Sequence, residues 1–280
     1  GKQIMRSVVE TKASILIDAI RGLRGELHLT FEESIQAAWL YDLLKPYVAR
    51  IVVCNPRHNK LILAGNKSDD IDAHKLADLL RLGSLQPVYH GEHGLKALQE
   101  LTRSYQYLVT DGTRVKNRIK AIFRGRAIAC TGESVFHPLR RQAWLVQLTE
   151  VGVRQRAEFL FEQLDSLLRL LKQAHKVMVT EARKHQAFKL LDSIPTLGSV
   201  RVSFILAVML TPSRFRTKRQ FWAYIGLALI TKTSADYVII NGQIKKNKHA
   251  VATRGLNKNF NHTLKMVFKT AAASVLRGPL

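Results

Sequence analysis

Acidic residues are scarce in this chain: 21 Asp and Glu stand against 44 Lys and Arg in 280 residues, a formal net charge of +23. A pI of about 10.4 points to a polyanionic partner, nucleic acid or an anionic membrane. Long hydrophobic runs are lacking too. The most apolar stretch, "VRVSFILAVML", is about half the length a spanning helix needs, so nucleic acid is the better partner. No signal-peptide pattern opens the chain. Cysteine is nearly absent. Cys54 and Cys130 have no paired metal-ligand spacing, which argues against a disulfide framework or a zinc site and fits a reducing cytoplasm. The ten histidines form neither an HxH nor an HxxxH pattern, and His58, His74 and His90 receive no role. What is plentiful is apolar material: 46% hydrophobic residues suffice for a core, in two domains or one large one.

The first third reads as α/β. "SILIDAIRGLRG" has amphipathic helical spacing up to Gly25, "ELHLTFEE" alternates as a strand, "IQAAWLYDLLKPYV" is helical up to Pro46, and "RIVVCNP" is a short buried strand. Helix and strand in alternation predict a parallel sheet with covering helices. The middle third is helical. Leu95, Leu98, Leu101, Tyr105 and Leu108 share one face, followed by the cations Arg114, Lys116, Arg118, Lys120 and Arg124. A second long pattern runs from Leu145 to His185, so the pair predicts a helical hairpin or coiled coil for dimerisation, or an ordinary bundle core.

The last third is nearly free of acids. From Ser193 to Leu280 fourteen Lys and Arg face the single acid Asp236, more than half of the chain's net charge. The segment is still apolar enough to fold, which is the composition a phosphate backbone selects. Pro195 and Gly198 in "LLDSIPTLGSVRVSFILAVML" resemble a helix-hairpin-helix turn, where helix-start N–H groups can hold a phosphate, although Pro and Gly also simply punctuate helices.

Against this background, "NKSDDIDAHKLADLLR" concentrates Asp69, Asp70 and Asp72. One explanation is a helix start, with Ser68 as N-cap and acids complementing the macrodipole. The other is a metal site. Asp69 and Asp72, three apart, share a helix face; two close carboxylates repel, and a divalent cation such as Mg²⁺ relieves the conflict. Glu32, at the end of a candidate strand, could supply a third oxygen ligand, with Glu33 on the opposite face. Ser234, in "TKTSADYVIING", would need activation by a base, a metal or stabilising cations to act as a nucleophile.

Taken in order, "LTFEESIQAAWLYDLL", "VVCNPRHNKLILAGNKSDDIDAHKLADLLRLG", "VKNRIKAIFRG", "LLDSIPTLGSV" and "FWAYIGLALITKTSADY…RGLNKNFNHTLKMVFKTAA" resemble the DEDD transposases of bacterial insertion sequences, the bridge-RNA-guided recombinases. The resemblance runs over nearly the whole chain. It implies a RuvC-like, RNase H-like catalytic domain over 1–92, a helical coiled-coil and dimerisation region over 93–186, and a mostly helical C-terminal transposase domain over 187–280. By motif position, Glu32, Asp69 and Asp72 are the matching members of an Asp-Glu-Asp-Asp metal cluster, Asp70 is a bystander, and Ser234 is the nucleophile that forms a phosphoserine link to DNA. Thr233 occupies a place often held by another Ser.

The family's first Asp sits in a "GIDxxK"-like strand that does not occur here, and Asp18 does not replace it; by that comparison the chain reads as N-terminally incomplete. The resemblance further implies Mg²⁺ or Mn²⁺ as cofactor. The expected partners are element and target DNA, a structured guide RNA and further copies of the chain in a dimer or tetramer, at the nucleoid of a bacterial cytoplasm. Arg114, Lys116, Arg118, Lys120, Arg124, Lys245, Lys246, Arg254, Asn257 and Lys258 are the expected nucleic-acid contacts. The competing readings are a RuvC-like nuclease that hydrolyses DNA without a covalent intermediate, and a non-catalytic nucleic-acid-binding fragment.

Overall fold

The computed structural model describes residues 2–56, 68–90, 94–233, 237–240, 243–247 and 252–276. The chain divides into two compact units, Gly1–Glu92 and His93–Leu280.

The first unit is built on two parallel strands, β1 (His28–Glu32) and β2 (Arg50–Cys54), in register from His28 opposite Arg50 to Glu32 opposite Cys54. Helix α1 (Ala13–Arg21) precedes them and α2 (Ala37–Leu44) forms the crossover. This is the parallel arrangement that the alternation of strand and helix patterns predicts. Residues 86–88 flank β2 on its other side: Asn55 N donates to Gln86 O at 3.1 Å and Val88 N to Val53 O at 2.8 Å. The central position of β2 explains its continuous apolar run, in which Val52, Val53 and Cys54 are all buried. Helix α3 (Asp69–Arg81) begins at Ser68, whose hydroxyl accepts from Ile71 N at 3.2 Å. It packs along β1 and sends Leu76, Leu79 and Leu80 to meet Val52, Cys54 and Leu85. Gly83, with φ of +65°, turns the chain after it in the left-handed region that glycine tolerates.

The second unit is organised by two long antiparallel helices, α4 (Lys96–Arg124) and α6 (Val151–Ala182). At 1.5 Å rise per residue each is roughly 45 Å long. Two separate cores form at their ends. One joins Val115, Ile119, Ile122 and Phe123 of α4 to Ala157, Phe161 and Leu164 of α6. It is covered by the connection that carries Cys130, Val135, Phe136 and the short helix α5 (Arg141–Leu145). The other joins Leu98 to Met178, Val179 and Ala182, and continues into α7 (Ala187–Asp192), α8 (Gly198–Met209), α9 (Lys218–Tyr224) and α10 (His262–Val275). The helical pair therefore shares its core with the C-terminal segment inside one unit.

Helix α8 is apolar on every side because it is central: Val202 through Ala207 are all buried. The one polar residue in that buried run, Ser203, donates to Ser199 O at 2.7 Å. Between α9 and α10 the described residues form four short strands, β3 (Leu229–Thr233), β4 (Tyr237–Ile240), β5 (Gln243–Lys246) and β6 (Ala252–Leu256). β3 pairs with β6 and β4 with β5, each antiparallel. The sequence reading of a mostly helical C-terminal domain did not include them. Runs of four or five residues carry too little periodicity to be read as strands against a helical background. Among the described residues no helix is long and apolar enough to cross a membrane.

Candidate active site and nucleic-acid interface

Glu32 occupies the last position of β1, at the carboxyl end of the parallel pair, where open α/β sheets place their sites. The corner that follows is pinned on two sides. Glu33 N donates to Cys54 O at 2.9 Å, and the Glu33 carboxylate meets His90 Nε2 at 2.6 Å. His90 in turn stacks on Tyr41, with ring centroids 5.3 Å apart. Sequence reasoning missed His90, since 57 residues separate it from Glu33 and no spacing rule links the two. Opposite Glu32 in the register lies the Cys54 thiol. Burial first, and then the Glu32 charge, push its pKa up to about 11.

Helix α3 presents the three aspartates in its first turn. Asp70 is paired to Arg6, whose Nε lies 2.9 Å from Oδ1. Asp69 is exposed and Asp72 half-buried. Asp72 Oδ1 is buried and has no hydrogen-bond partner among the described residues; Lys75 Nζ stands 3.8 Å away, an ion-pair distance but not a hydrogen bond. A buried carboxylate oxygen left in that state carries a desolvation cost, which a hard divalent cation would offset. The donor chemistry of Glu32, Asp69 and Asp72, all carboxylate oxygen, suits Mg²⁺ or Mn²⁺. Among the described residues, however, no three His, Cys, Asp or Glu side chains gather into a group that could hold a metal. The structure thus places Glu32 and the Asp69–Asp72 pair on adjoining elements and stops short of bringing all three together. Asp18 lies on α1, and no strand occurs among the described residues before β1.

Ser234 lies outside the described residues, as do Asp236 and His58. An asparagine-rich knot follows β6. Asn257 Nδ2 donates to Ala223 O at 3.1 Å and to Asn259 O at 2.8 Å, and Asn257 Oδ1 accepts from Asn259 N at 3.0 Å. Asn261 caps α10 by accepting from Leu264 N at 3.0 Å. The amide of Asn257 is therefore committed to tying α9 to the strand β6 and the turn after it. Gly226, with φ of +71°, allows that approach: a Cβ there would lie 2.5 Å from Phe260 Cγ.

The cations expected to touch nucleic acid divide into two sets. On α4, Lys116 and Lys120 both reach Glu133, at 2.7 and 3.8 Å, and both lie over the Phe136 ring. Lys116 and Lys120 hold the Glu133 carboxyl below its ordinary range. Arg114 pairs with Asp111 at 3.0 Å, and Arg124 donates to Cys130 O at 3.4 Å. Arg118 is exposed with no ion pair among the described residues. In the C-terminal segment Lys245, Lys246 and Lys258 are exposed. Arg254 falls on β6, opposite Thr231, and its side chain is outside the described set. Arg201 is structural. It donates to Thr196 O, and to Ser274 Oγ at 3.2 Å, strapping the turn before α8 onto α10. Thr196 itself has φ of +70° and donates to Ala271 O at 3.2 Å.

A parallel sheet with a carboxylate at its carboxyl end, an acid-started helix beside it and an acid-poor basic segment define a protein that acts on nucleic acid. Comparison with known families narrows the class. Residues 5–126 match the DEDD transposase family model of the IS110 group, and residues 188–278 match the transposase IS116/IS110/IS902 family. The two matches together cover well over half of the chain, which belongs to the IS110-type family of DEDD transposases. No individual curated protein matches it. DNA transposition and recombination is the activity of such a family, and DNA its substrate.

Proposed function

We propose that this transposase cuts and rejoins insertion-element DNA through a covalent phosphoserine link. Glu32, Asp69 and Asp72 would hold Mg²⁺ and Ser234 would be the nucleophile. The observation that carries the reading is Asp72 Oδ1, buried with no hydrogen-bond partner among the described residues, on the helix packed along β1, at whose carboxyl end Glu32 stands. Bound there, the cation would polarise the scissile phosphate and screen its charge. The chain's own residues do the remaining work. The Glu33–His90–Tyr41 contacts fix the corner that carries Glu32. The Ser68 cap fixes the first turn that carries Asp69 and Asp72.

In the covalent step the Ser234 oxygen forms a bond to phosphorus while the bond from phosphorus to the leaving sugar oxygen breaks. The serine loses its proton and the departing hydroxyl gains one. Reversal on a second DNA end rejoins the strands. Arg118, Lys245, Lys246 and Lys258, all exposed, are positioned to hold the phosphates of element DNA and of a structured guide RNA. A homo-oligomer would let the carboxylates of one copy serve the serine of another.

The test is a denaturing gel that reads protein–DNA adducts formed on element-end DNA with Mg²⁺. Wild-type protein gives a slow-migrating adduct. Ser234→Ala gives none while retaining DNA affinity. An adduct of undiminished yield in Ser234→Ala removes the serine assignment.

A further inference from the structure

The hairpin β4–β5 has a face that nothing in the described chain covers. Cross-strand partners lie on the same side of a two-stranded ribbon. The register pairs Tyr237 with Lys246 and Ile239 with Ile244, so these four side chains share one face. Tyr237, Ile239 and Ile244 are 66%, 75% and 74% exposed, and Lys246 is exposed beside them. Two isoleucines and a tyrosine aligned on one side of an isolated ribbon are an unusual use of apolar surface. A two-stranded hairpin is also marginal alone and gains from a partner.

The surroundings narrow what that partner is. The ribbon sits in the segment with fourteen cations and one acid. A second copy of the chain would set two such cationic surfaces against each other. A polyanion instead complements that charge. A two-stranded ribbon fits the major groove of B-form DNA, which is about 12 Å wide. There the isoleucines and Tyr237 would meet base edges and thymine methyls, while Lys246 reaches a phosphate.

We infer that the Tyr237–Ile239–Ile244–Lys246 face of the β4–β5 ribbon docks in the groove of duplex DNA and contacts bases as well as phosphates. This deepens the proposed function, on which it rests: it assigns a DNA-reading role to apolar residues of a segment otherwise notable only for charge.

The experiment measures binding of the full chain to a short fluorescein-labelled duplex DNA by anisotropy across a salt series. The variants are Ile239→Ser/Ile244→Ser and Lys246→Ala. The double variant should lose at least about fivefold in affinity at fixed salt, as expected when apolar and stacking contacts to bases are removed. Its salt slope should stay that of the wild type, because no phosphate contact is lost. Lys246→Ala should reduce the salt slope by about one. Both variants should keep the wild-type thermal melt, since the ribbon lies outside both cores.

A second readout places an environment-sensitive fluorophore at Ile244→Cys, with Cys54 and Cys130 buried and slow to label; its emission should change when the duplex is added. Duplex RNA, whose major groove is too narrow and deep for side chains to read, should bind both forms alike. Wild-type affinity in the double variant, with an unresponsive fluorophore, overturns the inference alone. Loss of self-association with unchanged DNA affinity overturns it too and assigns the face to a second copy. A selective loss of RNA binding overturns it in favour of RNA. Failure of the wild type itself to bind DNA removes the proposed function first, and the ribbon's role with it.

Discussion

Asp165→Asn is the most informative test of how the second unit is held together. Asp165 on α6 receives both terminal nitrogens of Arg141 from α5, at 2.7 and 2.8 Å, in a fork geometry. The guanidinium also lies 4.6 Å over the buried Phe161 ring. The pair thus anchors the long connection between α4 and α6 over the Phe161 core. Its worth lies between two limits. Fully exposed pairs contribute roughly 0.2–1 kcal/mol. Breaking a buried pair costs about 3–5 kcal/mol. The arginine side chain is 20% exposed but the carboxylate 48%, so water screens half of the interaction. Asparagine also keeps one acceptor oxygen. The loss should therefore be about 1 kcal/mol, or a fall in Tm of about 2–4 °C for a unit of this size.

The pH dependence is the sharper part of that test. Arg141 holds the Asp165 carboxyl below its ordinary value in the folded state. A depressed folded pKa contributes stability above the unfolded pKa, about 3.9, and loses it as pH falls through the folded value. Thermal melts followed by circular dichroism should show the full gap between wild type and Asp165→Asn at neutral pH. The gap should shrink below about pH 4 and close once Asp165 is protonated. Equal melts at neutral pH, or a gap that survives full protonation, would refute the argument.

Two further outcomes follow from the same reasoning about paired charges and close contacts. Glu133→Gln releases Lys116 and Lys120 from their shared carboxylate. DNA affinity at low salt should rise several-fold and the salt slope steepen by one to two, read by the anisotropy assay; an unchanged slope would mean that neither lysine reaches a phosphate. Gly226→Ala forces a Cβ into Phe260 at a positive φ. It should lower stability by about 1–3 kcal/mol in denaturant melts, and a neutral result would mean that Phe260 swings away at little cost.

The elements of the first unit were legible in the sequence because their patterns are local: alternation in β1, a continuous apolar run in β2, a capped acidic start for α3. The two long helices were equally readable from Leu95 and Leu98 onward. Their meaning was not, because Leu98 shares one core with Met178 and Leu264 through tertiary packing that no local period encodes. Four of the basic residues on α4 looked free in sequence and are engaged in the fold; Glu133, Asp111 and the Cys130 carbonyl hold them. The sequence offers Asn257 as a nucleic-acid contact but not its bonds to Ala223 and Asn259. Side-chain partners chosen across long separations were the illegible part, in the core and at the site alike. The β4–β5 ribbon escaped for the opposite reason. It is so short that four residues a strand leave no period to detect.

The two cores along the α4–α6 pair differ in when a ribosome can complete them. The Phe123–Phe161 core draws on residues between Val115 and Leu167, so it can close while the C-terminal third is still being made. The Leu98 core needs Leu264, Val267 and Ala271, and stays open until α10 has emerged. During translation the far end of the helical pair is therefore set first, and the apolar face around Leu98, Met178 and Phe204 remains bare until α10 has been made. The basic C-terminal segment thus also carries the residues that close the Leu98 core, so α10 is needed to complete the unit.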